Sequence, residues 1–451
     1  MKIVIIGSSH AGLTCAIRAR EEYPEAEIVI FEKQKEIAFV SQVIPFYLLG
    51  DKGVLDHHNY TSVENLRAQG FVVHNETTVV KIDVNTKEVF YRSPNLTEMQ
   101  SENYDKLVLA TGSYPVLPPI DSHESERIYT IKFMKDGEKL KKLLDTAKRV
   151  VIIGGGIIGV DLARIYNNHG VKVTLIQAHN RILNRYIDEE VSRSYEAVLE
   201  AEGIDVQLDT IAIDIRDQGD ETVVYTDSNQ HFAADGVIFT AGFRPNSYLL
   251  RNQAALGDLG AVKVDEYMQT SAADVFAVGD CATTYLNLTK QDVYLPHASD
   301  ALRTGSIAAV NLTGEKQKIA ASNGTFFIPI SGMSLAVTGL TLETALANGY
   351  DAELVRIDKA YLSGEAGGIS CWLTYEKGTH KILGLQAKGT MAGVTSSVAA
   401  YADLYSLAIQ QEMTVEEIEF TDFYFRYGFS DPKSINQIFA AAIRKREREE
   451  K

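Results

Sequence analysis

The sequence predicts an α/β protein made of two parallel-sheet units, the second inserted in the first, followed by a separate C-terminal α+β domain. Three observations predict it. KIVIIGSSHAG (residues 2–12) and RVVIIGGGIIG (149–159) each place a glycine-rich turn between an apolar run and a helical pattern. The segment TSAADVFAVGDCA (270–282) accompanies them, late in the same stretch of chain. After about residue 322 the glycine turns stop and apolar alternation takes over, in TFFIPI, GISCWLTY and KILGLQAKG.

The first unit opens with a short buried β-run at 4–6, a helical stretch at 13–20, and a second β-run at 28–31 that ends at Glu32. Gly7 permits the sharp strand-to-helix turn, and Gly12 allows the helix to lie close on the strand. Ser9 takes the middle glycine's place and is still small enough to leave backbone amides near a pyrophosphate. Glu32, about 20 residues after Gly12 with Lys33 beside it, stands where a carboxylate accepts bonds from ribose hydroxyls. Strand, turn, helix, strand and acid in register make a Rossmann-like nucleotide site. KLVLATG (106–112) adds a strand and a polar turn with Thr111 and Gly112, and Pro115, Pro118 and Pro119 then mark a boundary.

The second unit has the full fingerprint, Gly154, Gly156 and Gly159. Its next strand, VKVTLIQ, ends at Gln177, where an NAD site usually carries an acid. Gln177 can hydrogen-bond a ribose hydroxyl without repelling a 2′-phosphate. His179 and Arg181 either help bind such a phosphate or face solvent, so NADH and NADPH both stay open as donors. GVIFTAG (236–242) closes the unit, and GFRPN, beginning at Gly242, crosses back to the first. The expected domains are 1–118 with 243–321, 119–242, and 322–451. In the last, helices are expected at 341–348 and 394–410, and the charged run 444–451 reads as a solvated helix end.

Composition bounds the function. A net charge of −16 argues against nucleic acid or an anionic membrane as partner. The three cysteines, Cys15, Cys281 and Cys371, form no C-x-x-C pair, so neither a disulfide framework nor a metal site is suggested. No apolar run approaches the roughly 18 residues that span a bilayer. MKIVIIG is too short an apolar run for a signal peptide, and a cytoplasmic location is expected. Two nucleotide sites in one chain imply electrons passing between two cofactors.

With these motifs the chain resembles the FAD-dependent pyridine nucleotide–disulfide oxidoreductases, and within them the group of NADH oxidase, NADH peroxidase and coenzyme A disulfide reductase. The resemblance covers essentially the whole chain and rests on GSSHAG, LATGS (109–113), GGGIIG, GFRPN, DVFAVGDCA and SLAVTGLTLETA (334–345). It implies FAD in the first unit and NADH or NADPH in the inserted one. Asp280 is then expected to hold the FAD ribitol, Thr111 and Gly112 to lie along the FAD, and the segment 297–309, with Ala298 at its start, to present a helix N-terminus to the pyrimidine end of the isoalloxazine. The last domain is implied to form a homodimer interface. His10 matches the family's histidine near the flavin, and is either a structural group or a proton donor. Two positions depart from the pattern. Gln42, within IAFVSQVIPFYLLG (37–50), stands where the redox-active cysteine belongs, and Ile157 where a tyrosine often covers the flavin. Without that thiolate, neither sulfenic acid nor a mixed disulfide forms. The expected activity is therefore an FAD-dependent NAD(P)H oxidase or diaphorase that passes hydride to FAD and then electrons to oxygen, with hydrogen peroxide as product, or to another small acceptor. The alternatives are a redox-responsive binding protein with little turnover and an electron donor to a protein partner.

Overall fold

The computed structural model describes residues 1–451 except 52–58, 95, 119, 121–124, 331–332, 361–367, 391–394, 424–433 and 450–451. Pro119, expected at a unit boundary, and Val394, expected to open a helix, lie outside the described residues.

Two five-stranded sheets, each wholly parallel, organise the first two-thirds of the chain. The first runs in the order Val275–Ala277, Lys106–Leu109, Lys2–Ile6, Glu27–Phe31, Val72–His74. The second runs Asp205–Gln207, Lys172–Ile176, Arg149–Ile153, Gly236–Phe239, Ile128–Tyr129. Their central strands, KIVII and RVVII, are buried at four of five positions because helices cover both faces of a parallel sheet. Each such isoleucine or valine contributes about 1.5–3 kcal/mol on burial. Strands Ser113–Pro115 and Phe243–Pro245, which lead out of the first sheet and back to it, pair antiparallel with each other. Two small antiparallel sheets went unread in the sequence: Thr78–Asp83, Glu88–Arg92 and Gln100–Asn103, and Ala212–Gln218, Glu221–Thr226 and His231–Ala234. Apart from the mostly buried Glu221–Thr226, their strands are half-exposed, with mixed patterns such as eBeeBi, so the period-two signal is weak.

The C-terminal part is a five-stranded antiparallel sheet ordered Phe326–Ile330, Met333–Gly339, Ile382–Thr390, Gly368–Glu376, Ala352–Ala360, as its alternation predicts. It shares a core with the inserted unit: Trp372, Leu335 and Val337 pack in one cluster with Val150, Ile152 and Tyr195. Asp188 bolts the two together, accepting from Gln386 and from the backbone N–H of Leu342 at 3.1 Å.

The charged chain end, read as a solvated helix end, is a helix end through residue 449, and several of its charges are tied down. It belongs to a helix, Ile435–Glu449, whose polar face is fastened to its neighbours. Arg444 pairs with Glu419 and Arg446 with Glu353, while Glu447 sits 2.9 Å from His380 Nε2. Glu416 holds the other His380 nitrogen, Nδ1, at 2.6 Å. Only an imidazolium donates from both nitrogens, and Lys377, Lys381 and Tyr375 nearby are committed to Glu353 or Glu412 instead. Burial alone would lower the His380 pKa, but the two carboxylates outweigh it and raise it. The clasp therefore contributes fully below the unfolded histidine value of about 6.5 and is lost as pH rises through the higher folded one. His380→Ala should destabilise the protein by roughly 1.5–3 kcal/mol near pH 6 and by much less near pH 9, measured by denaturant unfolding at both pH values.

Candidate active site

Both glycine turns open onto one cleft of about 1750 Å³, walled by all three parts of the molecule. Gly7 has φ +102°, and a Cβ there would lie 2.2 Å from the carbonyl oxygen of Ala110, on the neighbouring strand's end. Gly12 lies so close behind the turn that its Cβ would meet the Gly7 oxygen at 2.0 Å. The helix His10–Glu22 consequently begins directly above the strand end, and its N-cap, Ser9, makes no capping bond. No side-chain cap covers its first amides, nor those of Ile157–Asn168, whose N-cap is Gly156, and uncapped helix starts suit anionic groups. Gly154 and Gly159 repeat the packing of Gly7 and Gly12 behind that second turn.

Glu32 closes the first strand pair. Its Oε2 accepts from the N–H and hydroxyl of Ser8, each at 3.0 Å, and its Oε1 from the Gln34 N–H at 2.9 Å. Lys33 lines the same end of the cleft. Towards the middle, Thr111 Oγ1 donates to the Asn246 carbonyl at 2.5 Å, and Gly112 beside it has open space where a side chain would be. Gly242 borders the same wall at the crossing between units. Gly305 lets the helix Ala298–Asn311 approach His10–Glu22 so closely that a Cβ would stand 2.2 Å from the Ala11 oxygen. That contact places Ala298 at a third uncapped helix start on the cleft.

Asp280 lies at the centre. Its Oδ2 accepts from Ser113 Oγ at 2.7 Å and from Lys132 Nζ at 3.2 Å. His10 is held by Tyr60, whose hydroxyl lies 2.9 Å from Nδ1. Burial lowers the His10 pKa; Asp280 acts against this and Lys132 with it. Gln42 is exposed on the cleft wall at the start of the short helix Val43–Leu48, and Ile157 lines the wall opened by the second turn. The segment leading into the helix Ala298–Asn311 carries two buried polar atoms, the Tyr294 hydroxyl and His297 Nδ1, that have no hydrogen-bond partner among the described residues. Neither Lys132, Tyr60 nor Tyr294 was singled out from the sequence, since no motif contains them. Ser8 could have been, being buried within the first glycine turn.

A family model for the pyridine nucleotide-disulphide oxidoreductases matches residues 1–305. The chain belongs to that family. The NADH oxidase of Enterococcus faecalis is 33% identical over 446 residues, covering 98% of this chain and 99% of its own. The CoA-dependent NAD(P)H sulfur oxidoreductase of Pyrococcus abyssi is 27% identical over 439 residues, covering 95% of each. Among solved structures, a water-forming NADH oxidase from Lactobacillus brevis bound to NADH superposes with a TM-score of 0.94 at 30% identity, over 99% of this chain and 98% of that one. This protein is an FAD-dependent NAD(P)H oxidoreductase.

The cleft suits those cofactors. Three uncapped helix starts provide amides for phosphates, Glu32 offers acceptor oxygens, and the unpartnered Tyr294 and His297 atoms need a polar ligand in a site otherwise buried. Gln177 stands apart from the cleft walls. Its Oε1 accepts from the Gly155 N–H at 3.2 Å, and its amide nitrogen donates to the Arg181 carbonyl at 3.0 Å and to Asn184 Oδ1 at 3.2 Å. The Arg181 guanidinium, one of the groups considered for a 2′-phosphate, is paired with Glu343 of the C-terminal part. None of the three cysteines lines the cleft. Burial pushes the Cys15 thiol up to about 12 and raises Cys281 and Cys371 as well. No helix among the described residues is long and apolar enough to cross a membrane.

Proposed function

We propose that this enzyme is an NAD(P)H oxidase whose acceptor is oxygen and whose product is hydrogen peroxide. One observation carries the reading: a cleft fitted for FAD and a pyridine nucleotide has no cysteine on its walls, with Gln42 at the position the family resemblance gives to a thiol. Bound FAD supplies the hydride acceptor and the two-electron outlet to oxygen. The chain's residues bind, orient and protonate. Residues 1–118 and 243–321 hold FAD, through the first helix start, Glu32 and Asp280. Residues 119–242 hold NAD(P)H above Gly156, with Ile157 filling the space at the junction. His10, held at Nδ1 by the Tyr60 hydroxyl, donates a proton from its imidazolium form towards reduced oxygen and is left as the neutral imidazole.

We further read residues 322–451 as a homodimer interface in a cytoplasmic enzyme. Leu407, 58% exposed on the helix Thr395–Gln410, and Phe420, 80% exposed, support that. The test of the function is aerobic turnover: peroxide formed and NAD(P)H consumed are measured together, and water as the sole product overturns the reading.

Coenzyme choice follows from Gln177. An aspartate there is one methylene shorter and cannot donate to Arg181 or Asn184, so it sets a negative charge beside the second glycine turn, where Gln177 bonds the Gly155 N–H. Gln177→Asp should raise the NADH/NADPH ratio of kcat/KM by about tenfold, the equivalent of one charge-assisted bond. An unchanged ratio places the ribose elsewhere.

A further inference from the structure

Lys132 joins two parts of the molecule that the chain keeps far apart. It precedes the helix Met134–Thr146, and the Asp136 carboxylate fixes its backbone by accepting from the N–H groups of Lys132 and Phe133 at 3.0 and 2.9 Å. Its side chain passes the Phe243 ring, 4.8 Å from the centroid. The ammonium then donates to Ser113 Oγ at 2.8 Å and to Asp280 Oδ2 at 3.2 Å. Ser113 donates to that same oxygen. Lys132 and Asp280 are each only 19% exposed, so the pair is shielded from solvent and weakly screened by salt. Among the described residues nothing bonds Asp280 Oδ1.

We propose that Lys132 is a positioning residue for FAD: with Ser113 it grips one oxygen of Asp280 and leaves the other to the cofactor, while linking the inserted segment to the flavin side of the cleft. The inference rests on the reading of Asp280 as an FAD ligand. A carboxylate gripped by two donors at one oxygen has a single orientation, and charge-assisted bonds are the class strong enough to hold it. Without the ammonium, Asp280 is a half-buried charge with no counter-charge, free to turn towards Ser113 or water. The same two charges act on His10 in opposite senses, so its titration reports whether both are in place.

The experiment uses the full chain stripped of FAD, with FAD as the titrant and the His10 resonances followed by NMR, assigned by their loss in His10→Gln. Lys132→Met, which keeps the packing against Phe243, should weaken FAD binding about tenfold or more and raise the His10 pKa. Lys132→Arg should restore most of both. Asp280→Asn should also weaken FAD binding but move His10 downwards. If Asp280→Asn weakens FAD binding while Lys132→Met leaves affinity and the His10 titration unmoved, the proposal is overturned and the reading of Asp280 stands. If Asp280→Asn binds FAD as tightly as the unmodified chain, Asp280 is no ligand and both fall.

Discussion

Gly7→Val should purify as a folded but colourless protein. At φ +102° a side chain already costs about 1–2 kcal/mol, and more when β-branched. The larger effect is steric, since the new Cβ would lie 2.2 Å from Ala110 O and 2.8 Å from Ala110 C, backbone atoms just past the end of the neighbouring strand Lys106–Leu109. The turn must move instead, carrying Ser8 with it. Ser8 makes both bonds to Glu32 Oε2, so the displacement costs the Glu32 carboxylate its orientation together with the placement of the first helix amides. Loss of flavin absorbance relative to protein absorbance checks this. Gly70→Ala is the control: φ is +84°, and the nearest atom to its Cβ is the end of Arg20, 3.9 Å away. It should lose roughly 1 kcal/mol of stability and keep its colour.

The second large effect concerns electron count. Anaerobic titration with NADH should end after about one two-electron equivalent per flavin, because no thiol lies within the cleft to take a further pair. In air, about one hydrogen peroxide should appear per NAD(P)H consumed, with little peroxidase or disulfide reductase activity. Cys15, Cys281 and Cys371 offer no substitute, since each is fully buried and held as the thiol. Gln42→Cys puts a thiol on the exposed cleft wall at the start of Val43–Leu48. It should raise the titration endpoint and divert part of the product from peroxide to water. An unmodified enzyme that takes up a second pair of electrons refutes the assignment.

What was legible in the sequence was local. The glycine turns could be read because close backbone approach restricts residue type within a dozen positions, and Glu32 because one strand separates it from the turn. The antiparallel C-terminal sheet showed through its alternation. Lys132 could not be read, because its partners Ser113 and Asp280 are brought to it only by the insertion of one unit in another. The ion-pair partners of Arg181 and of the charged helix end are illegible for the same reason. A cation beside a nucleotide motif and a run of alternating charges each look solvated until the C-terminal sheet supplies Glu343, Glu353 and His380. Gln177 was placed correctly at its strand end, but the inward course of its amide depends on the following loop.

The pairing of Ser113–Pro115 with Phe243–Pro245 also bears on how the molecule is made. During synthesis the strand Lys106–Leu109 emerges long before Val275–Ala277, its partner on one side, so the first sheet waits with an open edge. At ordinary ribosomal speeds the wait is on the order of ten seconds or more. Most of what is translated in that interval belongs to the inserted unit, which has its own sheet and the cluster around Val151, Val224 and Val237. The chain from about residue 243 already returns to the first unit's core. Once the insert has closed, the Asn246 N–H lies 2.8 Å from the Gly112 carbonyl, and the long intervening chain behaves as a short loop. Substitutions that slow the insert's own collapse will therefore lengthen the time for which an apolar strand edge is open to other nascent chains.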